Sequence, residues 1–346
     1  MARPLGSDTG GAPEPDPDDV LELFLGFWVS RTVMAGVQLG VFEVLGADRA
    51  PEGLTLEQAQ EALGLPARPA RALLDTCLAT GLLTKADGRY RNSALAARYL
   101  AAGSEYSLRN YVLDERWCWP AWGNLEDALR ADHQLLPEDA EGYHAFPEDF
   151  FLDFLHGHSL AMGERLARAV DFGTAARIMD VGGGSGAVSI ALGRAFPHLE
   201  AIVVDQPPVA ARAAVHIEAA GLGDRITTWP ANIFESPLPD DCDTAVLANV
   251  LHDFAPDRAR EILGRVVAAL PRGGRVVVLE IVPDEERRTP PLAVAFSVAM
   301  VVNTAGGDAH TASQYQAWME GAGLTDVVVT PIPGRMVTTV LEAVKR

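Results

Sequence analysis

Two rhythms of apolar and polar residues divide the chain. From Arg177 onward, short apolar runs alternate with stretches of helical period. The runs Ile178–Val181, Ala201–Val204, Thr227–Trp229, Thr244–Asn249, Arg275–Glu280 and Val327–Thr330 read as strands. Between them Ala187–Ala195, Pro208–Ala220, Asp257–Leu270 and Ala312–Gly321 read as helices. Strands so short and so continuously apolar are covered on both faces, which predicts a parallel, doubly wound α/β sheet with a Rossmann-like arrangement. Ligands of such sheets bind outside the carboxyl ends of the strands. That rule draws Asp180, Asp205, Asn232 and the loop holding His252 to one edge, although they are far apart in sequence.

The first half of the chain is mostly helical in pattern. Residues 1–17, with Pro13, Pro15 and Pro17, predict a disordered tail. Leu21–Leu45 is apolar almost all round a helix, which suits either a subunit interface or a central core helix. Thr55 and Gln58 form a capping-box pattern, and Gly64 closes that helix. A second helix over Ala67–Thr80 is followed by a hairpin around Asp87-Gly88. Together they make a winged helix. Its second helix offers Arg68, Arg71 and Asp75 but no basic stripe, so a structural role is expected rather than DNA reading. Aromatic residues then cluster: Tyr106, Tyr111, Trp117, Trp119 and Trp122, and later Tyr143, Phe146, Phe150, Phe151 and Phe154. Trp119 and Trp122 share a helix face, a stripe that fits a core or a ligand pocket. His156 and His158 are two apart, a spacing that does not suit a metal pair on a helix, and no metal is expected.

Composition narrows the choice. A net charge of −19 over 346 residues argues against nucleic acid or an anionic membrane as partner. The three cysteines, Cys77, Cys118 and Cys242, have no ligand spacing and suggest a reducing, cytoplasmic setting. The Gly-, Pro- and Asp-rich start has no signal-peptide core, and no run is expected to reach the roughly 20 apolar residues of a membrane span.

The stretch Arg177–Gly186 concentrates the candidate chemistry. An apolar run ends in Asp180, Gly182, Gly184 and Gly186 follow, and a helical pattern opens at Ala187. The missing Cβ atoms let a ligand lie against the backbone, and the helix N-terminus attracts an anionic group. Asp205 ends the next strand about 20 residues further on, the spacing of a ribose-hydroxyl acceptor. With Ala187 as the last small residue, the loop also reads as a dinucleotide fingerprint. Its mid-chain position and the acid two residues before the first glycine make it resemble instead the Asp-x-Gly-x-Gly-x-Gly loop of S-adenosylmethionine-dependent methyltransferases.

Three further features extend that likeness over nearly the whole chain: Val250-Leu251-His252-Asp253-Phe254, Leu270-Pro271-Arg272-Gly273-Gly274-Arg275, and the order of helical, winged-helix, aromatic and α/β segments. They resemble the two-domain S-adenosylmethionine-dependent small-molecule O-methyltransferases, the caffeate-type and bacterial natural-product tailoring enzymes. The resemblance implies a disordered tail (1–17), a winged-helix dimerisation domain (18–104), an aromatic helical linker lining the substrate pocket (105–172) and a catalytic domain (173–346). It also implies a cytoplasmic homodimer, S-adenosyl-L-methionine as cofactor and a small, phenol-like acceptor of the kind met in antibiotic biosynthesis.

Carried over by position, His252 would be the general base, Glu280 would orient it and Asp308 would complete the catalytic set. Asp180, Gly182, Gly184, Asp205, Gln206, Asn232, Ile233, Asn249 and Ser159 would bind the cofactor. Trp119, Phe154, Leu155, Met300 and Asn303 would line the acceptor pocket. A histidine with an ordinary pKa near 6.5 suits proton removal at neutral pH. Asp253 is read as a cap for the following helix. Three positions depart from the family pattern: Asn232 replaces an aspartate, Ala248 a lysine and Ala309 a second catalytic glutamate. Asp308 and His310 are the candidates to compensate. The change at Ala309 leaves carbon or nitrogen methylation, or a non-methylating reaction, as alternatives. A ligand-sensing winged-helix regulator is disfavoured by the charge and by the His252–Glu280 pair.

Overall fold

The computed structural model describes residues 16–135, 148–333 and 338–346. The expected tail up to residue 15, and Tyr143 and Phe146, lie outside the described residues, as do the side chains of Trp117, Cys118, Phe150, Phe151 and Phe154. The chain divides into two compact units, 1–116 and 117–346.

The first unit opens with α1 (Pro17–Gln38). Asp16 caps it by accepting the Asp18 N–H at 3.0 Å, and Asp18 and Asp19 sit in its first turn, where the helix dipole favours negative charge. Phe24 and Trp28 are 66% and 58% exposed, and only Gly36 and Val37 of this helix are buried. It is therefore not a core helix of its own unit. Contrary to the sequence expectation, α1 is also long and apolar enough to cross a membrane by length and composition. Between Val20 and Val37 only Glu22 and Arg31 are charged, and the small residues Gly26, Ser30 and Gly36 do not break the run. After α2 (Val41–Val44), α3 (Leu56–Leu63) carries the expected capping box between Thr55 and Gln58 and ends at left-handed Gly64. Then α4 (Ala67–Ala79) leads into the antiparallel pair β1 (Leu83–Ala86) and β2 (Arg89–Asn92). Asp87 and Gly88, both at positive φ, make the hairpin turn. Short α5 (Ala94–Tyr99) follows, and α6 (Arg109–Gly123) crosses into the second unit. Phe42, Leu74, Cys77 and Tyr90 form this unit's core.

The second unit contains α7 (Leu125–Ala131), α8 (Glu148–Ala169) and a seven-stranded sheet. Its strands are β3 (Arg177–Val181), β4 (Glu200–Asp205), β5 (Ile226–Pro230), β6 (Thr244–Ala248), β7 (Arg275–Ile281), β8 (Leu324–Ile332) and β9 (Thr338–Lys345). The helices between them are α9 (Ala187–Ala195), α10 (Pro207–Ala219), α11 (Pro256–Ala269), α12 (Pro291–Asn303) and α13 (Ala312–Gly321). The spatial order is β5-β4-β3-β6-β7-β9-β8, the first five strands parallel.

The sheet is not wholly parallel as expected. Strand β9, unforeseen in the sequence, runs antiparallel to both β7 and β8. Only residues 333–337 separate β8 from β9, too few for the crossover that a parallel return needs. Helix α12 was likewise unforeseen. Strands β3, β6 and β7 lie side by side, and this brings the ends of Val181, Ala248 and Ile281 to one carboxyl edge.

Candidate active site

The turn after β3 is built for close approach. Gly182, Gly184 and Gly186 have φ of 67°, 55° and 75°, a region that L side chains rarely enter. A Cβ on Gly182 would come within 2.8 Å of Val250, whereas Gly184 faces open space. Asp180 lies buried beneath the turn. Its Oδ2 accepts the Ser189 hydroxyl at 2.7 Å, while Oδ1 is buried with no partner. Burial pushes this carboxyl up to about 6, against the pull of the Ser189 bonds.

Asp205, at the end of β4, accepts the Gly184 N–H on Oδ2 at 2.9 Å and the Gln206 N–H on Oδ1 at 2.7 Å. It thus holds the turn from below, and each oxygen keeps a lone pair for a ligand hydroxyl. Burial raises its pKa, with both backbone bonds acting the other way. Asn232 is exposed, and its Oδ1 already accepts the Phe234 N–H at 3.0 Å. Ile233 packs against the sheet core. Asn249, just past β6, is left-handed at φ 56°, and its Oδ1 is buried without a partner. Ser159 is half-buried on α8.

Next to this turn, β6 runs through Asn249 into a single tight turn, Leu251–Asp253, which presents His252. Glu280 on β7 is 0% exposed. Its Oε1 accepts the N–H groups of Val250 (3.1 Å) and Leu251 (2.8 Å), and its Oε2 lies 2.5 Å from His252 Nδ1. The other ring nitrogen, Nε2, is 3.4 Å from Asp253 Oδ1. Asp253 is therefore not the helix cap that its position suggested. Helix α11 starts with Ala255 as N-cap and Pro256 at N1, with no side-chain bond to its N-terminus. Phe296 of α12 stands edge-on to the imidazole, ring centroids 4.9 Å apart.

Burial alone would push the His252 pKa down, but the Glu280 charge and hydrogen bond, with Asp253, overcome it and raise it to about 9. The ordinary value expected from the sequence is thereby replaced. Asp253 is itself raised, first by burial, and its side chain remains half-exposed.

Asp308 reaches His252 through the main chain alone: its N–H donates to the His252 carbonyl at 3.0 Å. Its carboxylate faces Arg287 Nη2 at 3.3 Å. A Cβ on Gly307 would collide with that same carbonyl, so the loop needs glycine there. Ala309 is fully buried. His310 is 2% exposed, with neither ring nitrogen partnered, and stacks edgewise on Trp318 at 4.6 Å. Burial keeps its pKa low. The second carboxylate at the His252 ring is thus Asp253, not Asp308.

Of the expected pocket residues, Met300 is buried and Asn303 half-buried on α12, the helix that brings Phe296 to His252. Leu155 is half-buried on α8, Trp119 is 42% exposed on α6, and the Phe154 side chain lies outside the described residues. Sequence reasoning missed Phe296 and the Asp253 contact. The latter left only a weak signal, because a carboxylate directly beside a histidine turns back on it only where the backbone makes a tight turn, as here.

A buried imidazole between two carboxylates can take up a proton, and a glycine turn with an acid-ended neighbouring strand can hold a nucleoside. Residues 137–325 match the O-methyltransferase domain family, and residues 21–102 match the O-methyltransferase dimerisation domain. The chain belongs to the O-methyltransferase family. This O-methyltransferase is 38% identical over 328 residues to the 3-hydroxy-5-methyl-1-naphthoate 3-O-methyltransferase of Streptomyces sahachiroi, covering 93% of this chain and 94% of the relative. It is 30% identical over 324 residues to the tetracenomycin polyketide synthesis 8-O-methyl transferase of Streptomyces glaucescens, covering 92% and 94%. Human N-acetylserotonin methyltransferase in complex with S-adenosylmethionine has a similar structure, with a TM-score of 0.85 and 28% identity over 97% of this chain and 99% of that one.

The O-methyltransferase is an enzyme that depends on S-adenosylmethionine, as its family does. The residues present fit that cofactor: the turn is open at Gly184, Asp205 keeps acceptor capacity, and Asn249 Oδ1 is a buried acceptor in want of a donor.

Proposed function

We propose that this enzyme methylates a hydroxyl of a small aromatic natural-product acceptor, with His252 removing the hydroxyl proton. The observation that carries the reading is the buried contact of 2.5 Å between Glu280 and His252. A phenol ionises near pH 10, so proton transfer to an imidazole of ordinary pKa near 6.5 is uphill by about 3.5 units. With His252 raised to about 9 the gap shrinks to about one unit, a saving of roughly 3 kcal/mol at about 1.4 kcal/mol per unit. The cost is that only about one molecule in a hundred carries neutral His252 at pH 7. Glu280 fixes Nδ1 as the protonated nitrogen and leaves Nε2 as the basic one. Asp253 beside Nε2 then balances the charge that forms.

S-adenosylmethionine supplies the electrophilic methyl group. Asp180, Gly182, Gly184, Asp205, Gln206, Asn232, Ile233, Asn249 and Ser159 are assigned to holding it, and the protein contributes mainly alignment and proton removal. Asp308 serves by holding the His252 main chain. Trp119, Phe154, Leu155, Met300 and Asn303 are assigned to the acceptor pocket.

Residues 18–104 are read as the dimerisation domain, 105–172 as pocket-lining helices and 173–346 as the catalytic domain of a cytoplasmic homodimer. The dimerisation-domain match takes in all but the first turn of the bare apolar helix α1 and supports that reading. The relative named for a hydroxynaphthoate makes fused-ring phenols the first acceptors to try. Turnover of a panel of phenols, amines and carbon nucleophiles, followed by mass spectrometry of the product, tests the reading. Methyl transfer to nitrogen or carbon alone would reject it.

A further inference from the structure

Within the glycine turn, Gly182 to Gly186, Ser185 is the one residue with a side chain that can be tied down. Three glycines in the left-handed region lose much conformational freedom on ordering, so side-chain bonds that hold the turn add to the backbone bonds of Gly182 to Val204 and Gly186 to Gly183. Asp205, at the end of β4, secures the Gly184 N–H. Ser185 is secured from α8: it is buried, and its Oγ lies 2.8 Å from Nδ1 of His156.

The path of α8 is fixed where it needs to be. A Cβ on Gly163 would come within 2.7 Å of Ala191 Cβ and 3.0 Å of Val188 Cα, so glycine there lets α8 press directly onto α9, the helix that the turn opens. One face of the His156 ring is braced in turn by His216 of α10, stacked with ring centroids 4.0 Å apart and planes 15° from parallel. Two neighbouring turn residues are thus held by the end of β4 and by α8, and the imidazole stack joins α8 to α10. Nothing else in the turn's side chains could do this, because Gly186, the N-cap of α9, has none.

We propose that His156 is a positioning residue of the donor site, which latches the glycine turn through Ser185 and is itself held flat by His216. The inference rests on the reading that this turn holds S-adenosylmethionine, and it adds a side-chain relay that sets the turn's shape before binding.

Isothermal titration with S-adenosylhomocysteine tests it, with Asp205→Ala as control for the underlying reading. His156→Phe keeps a ring against His216 and removes the nitrogen that meets Ser185. Its affinity is expected to fall about fivefold, the worth of one net hydrogen bond of about 1 kcal/mol. Ser185→Ala should lose a similar factor, and the double variant no more than either single. His156→Asn, whose amide can stand where Nδ1 stands, should recover most of the loss even where His156→Phe folds poorly. In turnover, KM for the donor should rise while kcat at saturating donor and KM for the acceptor stay put. Wild-type affinity in His156→Phe beside a weakened Asp205→Ala, fully additive losses in the double variant, no recovery in His156→Asn, or a lowered melting temperature with unchanged affinity would each overturn the latch. Undiminished binding by Asp205→Ala would remove the donor from this turn altogether.

Discussion

Glu280 grips His252 by ring and by backbone at once: one oxygen lies 2.5 Å from Nδ1 and the other accepts the N–H groups of Val250 and Leu251. The carboxylate therefore fixes both the turn that carries the imidazole and the tautomer it adopts. A strand residue of one segment thus sets the basicity of a turn residue 28 positions earlier.

The first consequence is a pH dependence. Because His252 is raised to about 9, kcat/KM with a neutral phenol should rise about tenfold per pH unit from 7 and level off near 9. The same shift acts on stability. The folded pKa lies above the unfolded value near 6.5, so this group's stabilisation is complete below about 6.5 and is lost as pH rises through about 9. Melting temperature should fall over that window. A pH–rate profile already flat at 6.5 would contradict the assigned base.

Glu280→Gln keeps the shape but removes the charge that raises His252. The rate limb should move to lower pH, and turnover of neutral phenols at pH 9 should fall on the order of 10- to 100-fold. Because burial of the imidazolium is then opposed only by Asp253, the pH-dependent loss of stability above 6.5 should also shrink. Paired pH–rate and thermal-melt series on wild type and variant measure both, and an unmoved limb would detach Glu280 from the base.

Asp253 makes the looser contact, 3.4 Å from Nε2 with half its side chain exposed. Asp253→Asn should shift the limb in the same direction as Glu280→Gln but by less, because solvent screens the pair. Asp308→Asn should leave the limb in place, since Asp308 meets His252 only through its backbone N–H. A larger shift in Asp308→Asn than in Asp253→Asn, read from the same pH–rate series, would reverse the assignment of the second carboxylate.

What could be read from the sequence was local. The capping box at Thr55, the Asp87-Gly88 turn and the glycine turn after β3 each declare themselves within a few residues, and each stands where expected. Helix α12 did not declare itself, because Pro291–Asn303 is apolar on nearly every side and shows no period that separates helix from strand. Strand β9 escaped for a related reason: residues 338–343 are almost uniformly buried and do not alternate. The raised His252 pKa and the His156–Ser185 contact depend on pairs 28 and 29 residues apart, which no local pattern encodes. Asp253 was misread because adjacency to a helix outweighed the tight turn that folds its carboxylate back onto the ring.

The apolar face of α1 predicts association. Val20, Leu23, Phe24 and Trp28 are more than half exposed in the single chain, a contiguous patch that water does not tolerate cheaply. Sedimentation at micromolar concentration should show a dimer, and Phe24→Glu with Trp28→Glu should shift it to monomer. A wild-type monomer of 36.9 kDa would require another cover for that helix.

The sharpest test of His252 lies in the acceptor's own ionisation. If the imidazole serves only to remove a proton, its worth must vanish for an acceptor that arrives without one. His252→Ala should leave S-adenosylhomocysteine affinity unchanged, since none of the residues assigned to the donor is His252 and the glycine turn is held by Asp205. Turnover of a phenol that is neutral at the assay pH should drop on the order of 10²- to 10⁴-fold, the usual worth of a general base. Nitrophenols and polyhalogenated phenols, already ionised at pH 8, should lose far less, so the loss should scale with acceptor pKa. A uniform loss across the series would instead give His252 a role in holding the acceptor. Near-wild-type rates with the neutral phenol would place the base elsewhere, with Asp253 and then His310 next to be replaced. The series separates these cases because it varies the proton and leaves the pocket unchanged.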